Sequence, residues 1–432
     1  METPGPSTDE PPAKIHKSEV INPEVSTETN KCKCELNVPG INKINEKNIL
    51  YMHVEGDTFY AKKKDKKLKT ELNEKFKTEL LQKVCCLRNS NGGLLVTHVV
   101  DRDAGFGRNL DRFDQRFEID LNNMIEDDSP YWMNYRRRWL QPTEKGEYQD
   151  YILLYVKGSS SVSTQAFNTY MPNDGSIERP KAREIAEYMS KFHKASDTKN
   201  DSKIGGDEFK EGDTLPYYEN RDLQFKRLDQ GVLQCSQGKD LPTDKAAVEK
   251  ILALRLYDYI TAFTKLEQGG VIYFGVEEQK TEPPRENAEG HPTYHYKVRG
   301  LSLTENDKLQ IKTDLLTNIK QNMLWVDDKG NTLKEEDVAR KVEITFHSTK
   351  EDDTSYVIEV VVPQQYAGMV FTEKKGPFAW RLSRTGDKKK IIPVDLAKWQ
   401  DRVKMMLTCE KCKKGARQSV EQQQQQQQPQ QK

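Results

Sequence analysis

Twice along this chain a run with helical spacing stops at a pair of glycines and passes directly into an apolar, strand-like segment. The first run, ELNEKFKTELLQKVCCLRNS, ends at Asn91-Gly92-Gly93 and continues as LLVTHVV. The second, AAVEKILALRLYDYITAFTKLEQ, ends at Gly269-Gly270 and continues as VIYFGVEE. Glycine after a helix readily takes the left-handed conformation that closes the last turn, and so permits a tight helix-to-strand connection. The apolar run that follows does not alternate, so each strand is expected to be covered on both faces. One such arrangement constrains little; two, about 180 residues apart, predict an internal duplication. Both halves continue with further strands and a helix. The first has YILLYVKG at 151–158 and a helix at 180–191 after Arg179-Pro180. The second has strands at 341–347, 355–363, 369–373 and 378–386, then a helix at 394–407. Strands and helices that alternate in this way predict two tandem α/β lobes with mixed sheets, forming a pseudo-dimeric clamp.

The 432 residues suffice for two such domains with tails. With 35% hydrophobic and 31% charged residues the chain is too polar to be packed throughout, and the deficit falls in recognisable segments. Residues 1–40, rich in Pro, Ser, Thr and charge, and residues 409–432, with their glutamine tract, are expected to be disordered. Residues 194–214 read as a polar linker, leaving an N-lobe at 41–193 and a C-lobe at 215–408. Sixty-eight basic and sixty-eight acidic residues cancel, so attraction to nucleic acid must come from local clusters. Such clusters occur at Lys62, Lys63, Lys64, Lys66 and Lys67, at Arg136, Arg137 and Arg138, at Lys374 and Lys375, and at Lys388, Lys389 and Lys390. A lysine run on its own is usually a solvated surface. The seven cysteines form no regular framework, and no apolar stretch reaches the ~20 residues that cross a bilayer. The opening METPGPSTDEPP lacks the pattern of a secretory signal, so a reducing, cytoplasmic setting is expected.

More specific is the segment from Tyr218 and Glu219 through Gln224, Phe225, Lys226 and Arg227. It precedes a helix carrying Tyr259, Ala262 and Phe263, then Gly269-Gly270, then a strand ending Gly275-Val276-Glu277-Glu278. This series resembles the Schlafen family, in which a glutamate is followed five residues later by a second in a Glu-Phe-Lys context. In that family a helix of the Tyr-x-x-Ala-Phe type follows, then Gly-Gly and a strand ending Gly-Val-Asp-Asp. The closing segment Phe378-Ala379-Trp380-Arg381-Leu382-Ser383-Arg384 is similar to a late strand of the family. Leu87 to Gly93 and Ser176 to Pro180 are similar to its N-lobe. The resemblance spans residues 41–408 and includes no counterpart of the family's helicase extension, so a short, core-only member is expected.

In active Schlafen proteins the two glutamates and the strand-end aspartate make a three-carboxylate site that cuts structured RNA. Phosphodiester hydrolysis needs a hard divalent cation to generate hydroxide and neutralise the charge building on phosphorus; carboxylate oxygens suit Mg2+ or Mn2+. The resemblance places this site at Glu219, Gln224 and Glu278, with Glu219 and Glu278 as metal ligands and Lys226 holding a phosphate. Residues five apart on a strand face opposite sides, so Glu219 has to precede the strand that carries Gln224. Two ligands depart from the family pattern: Gln224 has lost the charge, and Glu278 is longer than aspartate by a methylene. Both changes weaken cation binding, so independent catalysis is expected to be poor.

Arg136, Arg137 and Arg138 lie between Trp132 and Trp139, and basic groups interleaved with aromatics suit RNA-binding surfaces. On a helix Arg136 and Trp139 share one side; a core-anchored helix with snorkelling arginines has the same pattern. Arg381 and Arg384 of the closing strand join these as RNA contacts through the resemblance. No zinc is expected: His291 and His295 have no paired cysteine motif, and nothing brings Cys32 and Cys34 to Cys409 and Cys412. Neither a Walker loop nor a G-x-G-x-x-G occurs. The resemblance implies a subunit of a multi-subunit RNA endonuclease that processes small-RNA precursors, partnered by structured or precursor RNA and by paralogous Schlafen-like subunits. The nematode enzyme that trims the 5′ ends of piRNA precursors contains such short forms. The alternatives are an autonomous metal-dependent tRNA or rRNA endoribonuclease, and a protein-interaction module without an RNA role.

Overall fold

Both glycine pairs stand where a helical segment hands over to a central strand of a sheet. The computed structural model describes residues 48–55, 66–100, 115, 117–121, 131–139, 151–159, 162–173, 176–190, 204–205, 208–235, 241–281, 293–349, 354–362, 366, 368–385 and 388–408. The two tails, Lys62, Lys63, Lys64, His291 and Cys32, Cys34, Cys409 and Cys412 lie outside the described residues.

The first half runs β1 (Ile49–Glu55), α1 (Lys66–Arg88), β2 (Gly92–Val100), α2 (Tyr131–Asn134), β3 (Tyr135–Trp139), β4 (Tyr151–Lys157), β5 (Met171–Asn173), β6 (Ser176–Glu178) and α3 (Ala182–Ser190). The second half begins β7 (Thr214–Leu215), β8 (Leu223–Lys226), α4 (Gln230–Cys235), α5 (Thr243–Ala253), α6 (Leu256–Phe263), β9 (Gly270–Phe274), β10 (Val276–Thr281) and β11 (Thr293–Val298). It continues β12 (Leu301–Ser302), α7 (Glu305–Asn322), β13 (Leu324–Asp327), α8 (Glu335–Ala339), β14 (Glu343–Ser348), β15 (Ser355–Val362), β16 (Gly368–Phe371), β17 (Trp380–Thr385), β18 (Lys388–Pro393) and α9 (Leu396–Thr408). The described residues are thus mixed α/β, with nine helices and several small sheets among them.

The first sheet has the order β1-β2-β4-β3, with β1 parallel to β2 and the other two pairs antiparallel. The second has β8-β9-β15-β14, with β8 parallel to β9 and again two antiparallel pairs; β12 adds a short pairing at the start of β15. The same backbone bond opens both: Leu94 N–H donates to the Asn48 carbonyl and Val271 N–H to the Asp222 carbonyl, each at 2.8 Å. Gly92 at φ +85° and Gly269 at φ +73° take the left-handed turn. The second glycine of each pair is needed for space. A Cβ on Gly93 would lie 2.2 Å from the Asn48 carbonyl oxygen, and one on Gly270 2.4 Å from the Phe263 ring.

Each half also sends a hairpin to the other half's helix. At α1, Asn89 Nδ2 donates to the Trp380 carbonyl at 2.9 Å, and Leu382 N–H donates to Ser90 Oγ, just beyond the helix, at 2.8 Å. At α6, Tyr170 N–H, ahead of β5, donates to Thr261 Oγ1 at 3.0 Å. The segments leading into the two hairpins meet at a bridge between Ala166 and Phe378. Each of these residues lies seven positions before the pair that closes its hairpin, Asn173 with Ser176 and Thr385 with Lys388. A shared apolar cluster backs the exchange: Ile185, Ala186 and Met189 of α3 pack with Leu324, Phe371 and Trp399.

Helices α5, α6 and α7 cover one face of the second sheet, and β7, β10 and β11 cover the other with Ile204 and Phe209. All five residues of β9 are buried, as its unbroken apolar run requires. Ile204 and Phe209 belong to the segment expected as a linker; at these two positions it is packed. The single helix expected before Gly269 is two helices. The break falls at Leu254 and Arg255, where Arg255 takes φ +69°. An ion pair to Asp258 at 2.8 Å and a guanidinium 5.2 Å from the Tyr170 ring hold that turn. Arg136, Arg137 and Arg138 lie on strand β3 and not on a helix, because their backbones pair with Tyr155, Leu154 and Leu153 of β4. Strand side chains alternate, so Arg136 and Arg138 share an exposed face while Arg137 takes the side of buried Tyr135.

Candidate functional site

Strand β8 is the edge of the second sheet, and an edge strand leaves alternate N–H groups without a ladder partner. The Glu219 carboxylate takes one of them: its Oε1 accepts from Phe225 N–H at 2.7 Å. An Asx turn brings Glu219 back over the strand, with Asn220 Oδ1 accepting from the Asp222 and Leu223 N–H groups at 2.9 and 2.8 Å. Gln224 and Lys226 share one face of β8. The Lys226 ammonium donates to Glu219 Oε1 at 2.9 Å and to Gln224 Oε1 at 3.3 Å, and lies 5.2 Å from the Tyr259 ring of α6. Gln224 is fully buried, and its Nε2 donates to the Asn220 carbonyl at 2.7 Å. Glu219, Gln224 and Lys226 therefore converge, with Glu219 ahead of the strand.

Glu278 comes from the sheet that covers β8. It is exposed on β10, opposite Tyr296 of β11, and its Oε1 accepts from the Tyr296 hydroxyl at 3.4 Å. Tyr296 links the acids electrostatically. Burial, then the charges of Glu219 and Glu278, push its phenol up to about 12. Its ring packs 4.8 Å from that of Phe225. Glu277 points away from Glu278 and is gripped by Arg227 and Arg299, each at 2.5 Å. Burial opposes its charge, but hydrogen bonds from Arg299 and Gln279 and the charge of Arg227 hold the carboxyl below its usual range. Sequence reasoning named Tyr259 only as part of a helix motif, and missed Tyr296 and Arg299. The alternation in TYHYKV marks a strand with Tyr296 and Val298 on one face, but names no partner.

A cation of the Mg2+ kind needs several oxygens at ~2.1 Å around a common centre. The oxygens of Glu219 and Gln224 converge instead on an ammonium built into the chain. Among the described residues no group of three or more His, Cys, Asp or Glu comes together that could hold a metal ion. Glu219 and Gln224 together offer one carboxylate and one amide oxygen, fewer anionic donors than such a cation takes. The matching positions of the first sheet, counted from the second glycine of each pair, hold Leu50 and Met52 in place of Gln224 and Lys226.

The expected RNA contacts fall in separate places. Arg136 and Arg138 are exposed on edge strand β3, and Trp132 falls in α2. Arg384 lies by the opposite edge of that sheet, where its guanidinium donates to Asn48 Oδ1 at 2.9 Å. Lys389 faces it across the hairpin, and burial together with the Arg384 charge lowers the Lys389 ammonium. Arg381 Nε, on the same hairpin, is buried without a hydrogen bond among the described residues. Three strand spacings, about 14 Å, separate β3 from β1, so the two basic groups do not make one patch.

No protein-family model matches this sequence, and no curated protein matches it. No helix among the described residues is long and apolar enough to cross a membrane.

Proposed function

We propose that this chain is a Schlafen-like subunit of a multi-subunit RNA endonuclease that processes small-RNA precursors, cytoplasmic, with a degenerate site and an RNA-binding and scaffolding role. The observation that carries this reading is that the Lys226 ammonium meets one carboxylate, Glu219, and one neutral amide, Gln224. With a single anionic donor, already paired with Lys226, the site keeps a nuclease-like arrangement of side chains but holds a hydroxide-generating cation poorly. Mg2+ or Mn2+ in the assembled enzyme is then held by the carboxylates of a paralogous subunit. The two-lobed, pseudo-dimeric clamp is part of the same proposal. Its supports are the repeated sheet order, the matched bonds to Asn48 and Asp222, the exchanged hairpins and the bridge between Ala166 and Phe378. Exposed Arg136 and Arg138 at one edge of the first sheet, and the Arg384 and Lys389 hairpin at the other, suit contacts to separate phosphates of one RNA.

Reconstitution tests the reading. Alone with Mg2+ or Mn2+, the chain should cut structured RNA slowly or not at all. Within the complex, Glu219→Ala should leave cleavage nearly intact, while Arg136→Glu with Arg138→Glu should weaken RNA binding. Strong metal-dependent cutting by the isolated chain, abolished by Glu219→Ala, would overturn the proposal and make the chain an autonomous endoribonuclease.

A further inference from the structure

Two tyrosines stand in solvent beside the candidate site, and packing accounts for neither exposure. Tyr218, adjoining Glu219, is 69% exposed, and Tyr294 of β11 is 39% exposed. Both are nonetheless positioned. The Tyr218 ring stands edge-on to the buried Tyr296 ring, with centroids 6.5 Å apart and planes at 84°. Tyr294 shares a face of β11 with Tyr296, two residues on. Leu215 pairs antiparallel with Tyr296, so the chain leaving β7 runs along β11 toward Tyr294 and carries Tyr218 to that end of the strand. The surroundings are charged and not apolar: Arg221, Glu278 and Lys280 are exposed.

We propose that Tyr218, with Tyr294 beside it, is a stacking platform for an unpaired RNA base, so that the substrate of this site is a single-stranded segment and not a duplex. The inference rests on the RNA reading above and deepens it. A base has two open faces only when it is unpaired and unstacked from its own strand, and an exposed tyrosine ring offers a flat surface to one of them. Tyr296 cannot take a base, because it is 5% exposed; it serves as the wall that fixes the Tyr218 ring. The charged surroundings favour a nucleic acid over a protein partner, whose central anchor would sit in an apolar, water-excluded patch. Lys280, which pairs with Tyr294, and Arg221 supply cations for the flanking phosphates.

The test uses the full chain and a fluorescein-labelled single-stranded RNA of mixed sequence, alone or annealed to its complement, with anisotropy as the readout. Tyr218→Ala should weaken single-strand binding by about fivefold or more, the lower end of the cost of one lost base–aromatic stack. Duplex binding should stay unchanged, and so should the slope of log affinity against log salt, since no phosphate contact is removed. Tyr218→Phe and Tyr218→Trp should bind the single strand within about twofold of the parent chain, because the ring and not the hydroxyl stacks. Single-strand affinity unchanged in Tyr218→Ala, while Arg136→Glu with Arg138→Glu lowers it, would overturn the platform and leave the RNA reading standing. Equal weakening of single strand and duplex would overturn the platform as well. A chain that binds neither RNA would overturn both readings. A protein that copurifies with the chain, is lost in Tyr218→Ala and returns in Tyr218→Phe, with RNA affinity unchanged, would assign the ring to a protein partner instead.

Discussion

Replacing Gln224 by glutamate adds a second carboxylate to the site, at a cost that follows from the geometry. The Gln224 Nε2 now donates to the Asn220 carbonyl at 2.7 Å. A carboxylate oxygen in that place faces another oxygen, which forfeits ~1 kcal/mol of hydrogen bonding and adds repulsion. The new charge would lie near 3.3 Å from the Lys226 ammonium, an attraction of ~5 kcal/mol at an effective dielectric of ~20. Glu219 holds the same ammonium at 2.9 Å, so the two carboxylates are at most ~6 Å apart and repel by ~3 kcal/mol or more. Gln224 is 1% exposed, and taking a carboxylate out of water there costs several kcal/mol more. The balance is a loss of about 2 kcal/mol or more at neutral pH without metal. A protonated carboxyl can donate to Asn220 as the amide does. Its folded pKa is therefore raised above the unfolded value, and stability is retained below about pH 4 and lost as pH rises through the folded pKa. Urea unfolding of both chains in chelator and in Mn2+, across pH, measures this. The deficit should shrink toward acid pH. Mn2+ should restore the variant by about 2.7 kcal/mol at a hundredfold excess over its Kd, while the parent chain hardly moves. Equal stabilisation of both by Mn2+ would refute the reasoning, because the parent site would already hold a cation. A variant as stable as the parent in chelator at neutral pH would refute the Asn220 contact.

Gly93→Ala should cost about 3 kcal/mol or more in urea unfolding, since its Cβ meets the Asn48 carbonyl oxygen at 2.2 Å. Gly212→Ala, at φ +89° with nothing within 4 Å, should cost only about 1 kcal/mol. Burial holds the Lys265 ammonium well below its usual range, where it donates to Thr169 Oγ1 and the Thr261 carbonyl. The unfolded chain therefore binds the extra proton between the two pKa values, and stability should rise with pH until about 10.5. Lys265→Met should remove that slope, as pH-dependent urea unfolding would show. Asn89→Ala breaks bonds of 2.9 Å to the Ser163 N–H, the Ser163 carbonyl and the Trp380 carbonyl. It should cost about 2–3 kcal/mol and speed hydrogen exchange at Leu382.

What was legible in the sequence rests on chemistry that acts over a few residues. The glycine pairs announce their turns because positive φ and close approach are properties of glycine itself. Strands β2 and β9 announce burial on both faces because their apolar runs do not alternate. Period two alone requires Glu219 to lie ahead of the strand that carries Gln224. Three successive arginines have no period, so nothing local distinguishes a helix from a strand; only pairing with β4 decides it. The break at Arg255 depends on Tyr170, which approaches from the other half of the chain. The register of β10 with β11 puts Glu278 opposite Tyr296, and the edge position of β8 turns Glu219 onto a backbone N–H and Lys226. The sequence by itself thus determined which acids, amide and cation are present and in what order. Only the tertiary structure decided which oxygens meet which proton donors, because those contacts follow from pairing between strands far apart along the chain.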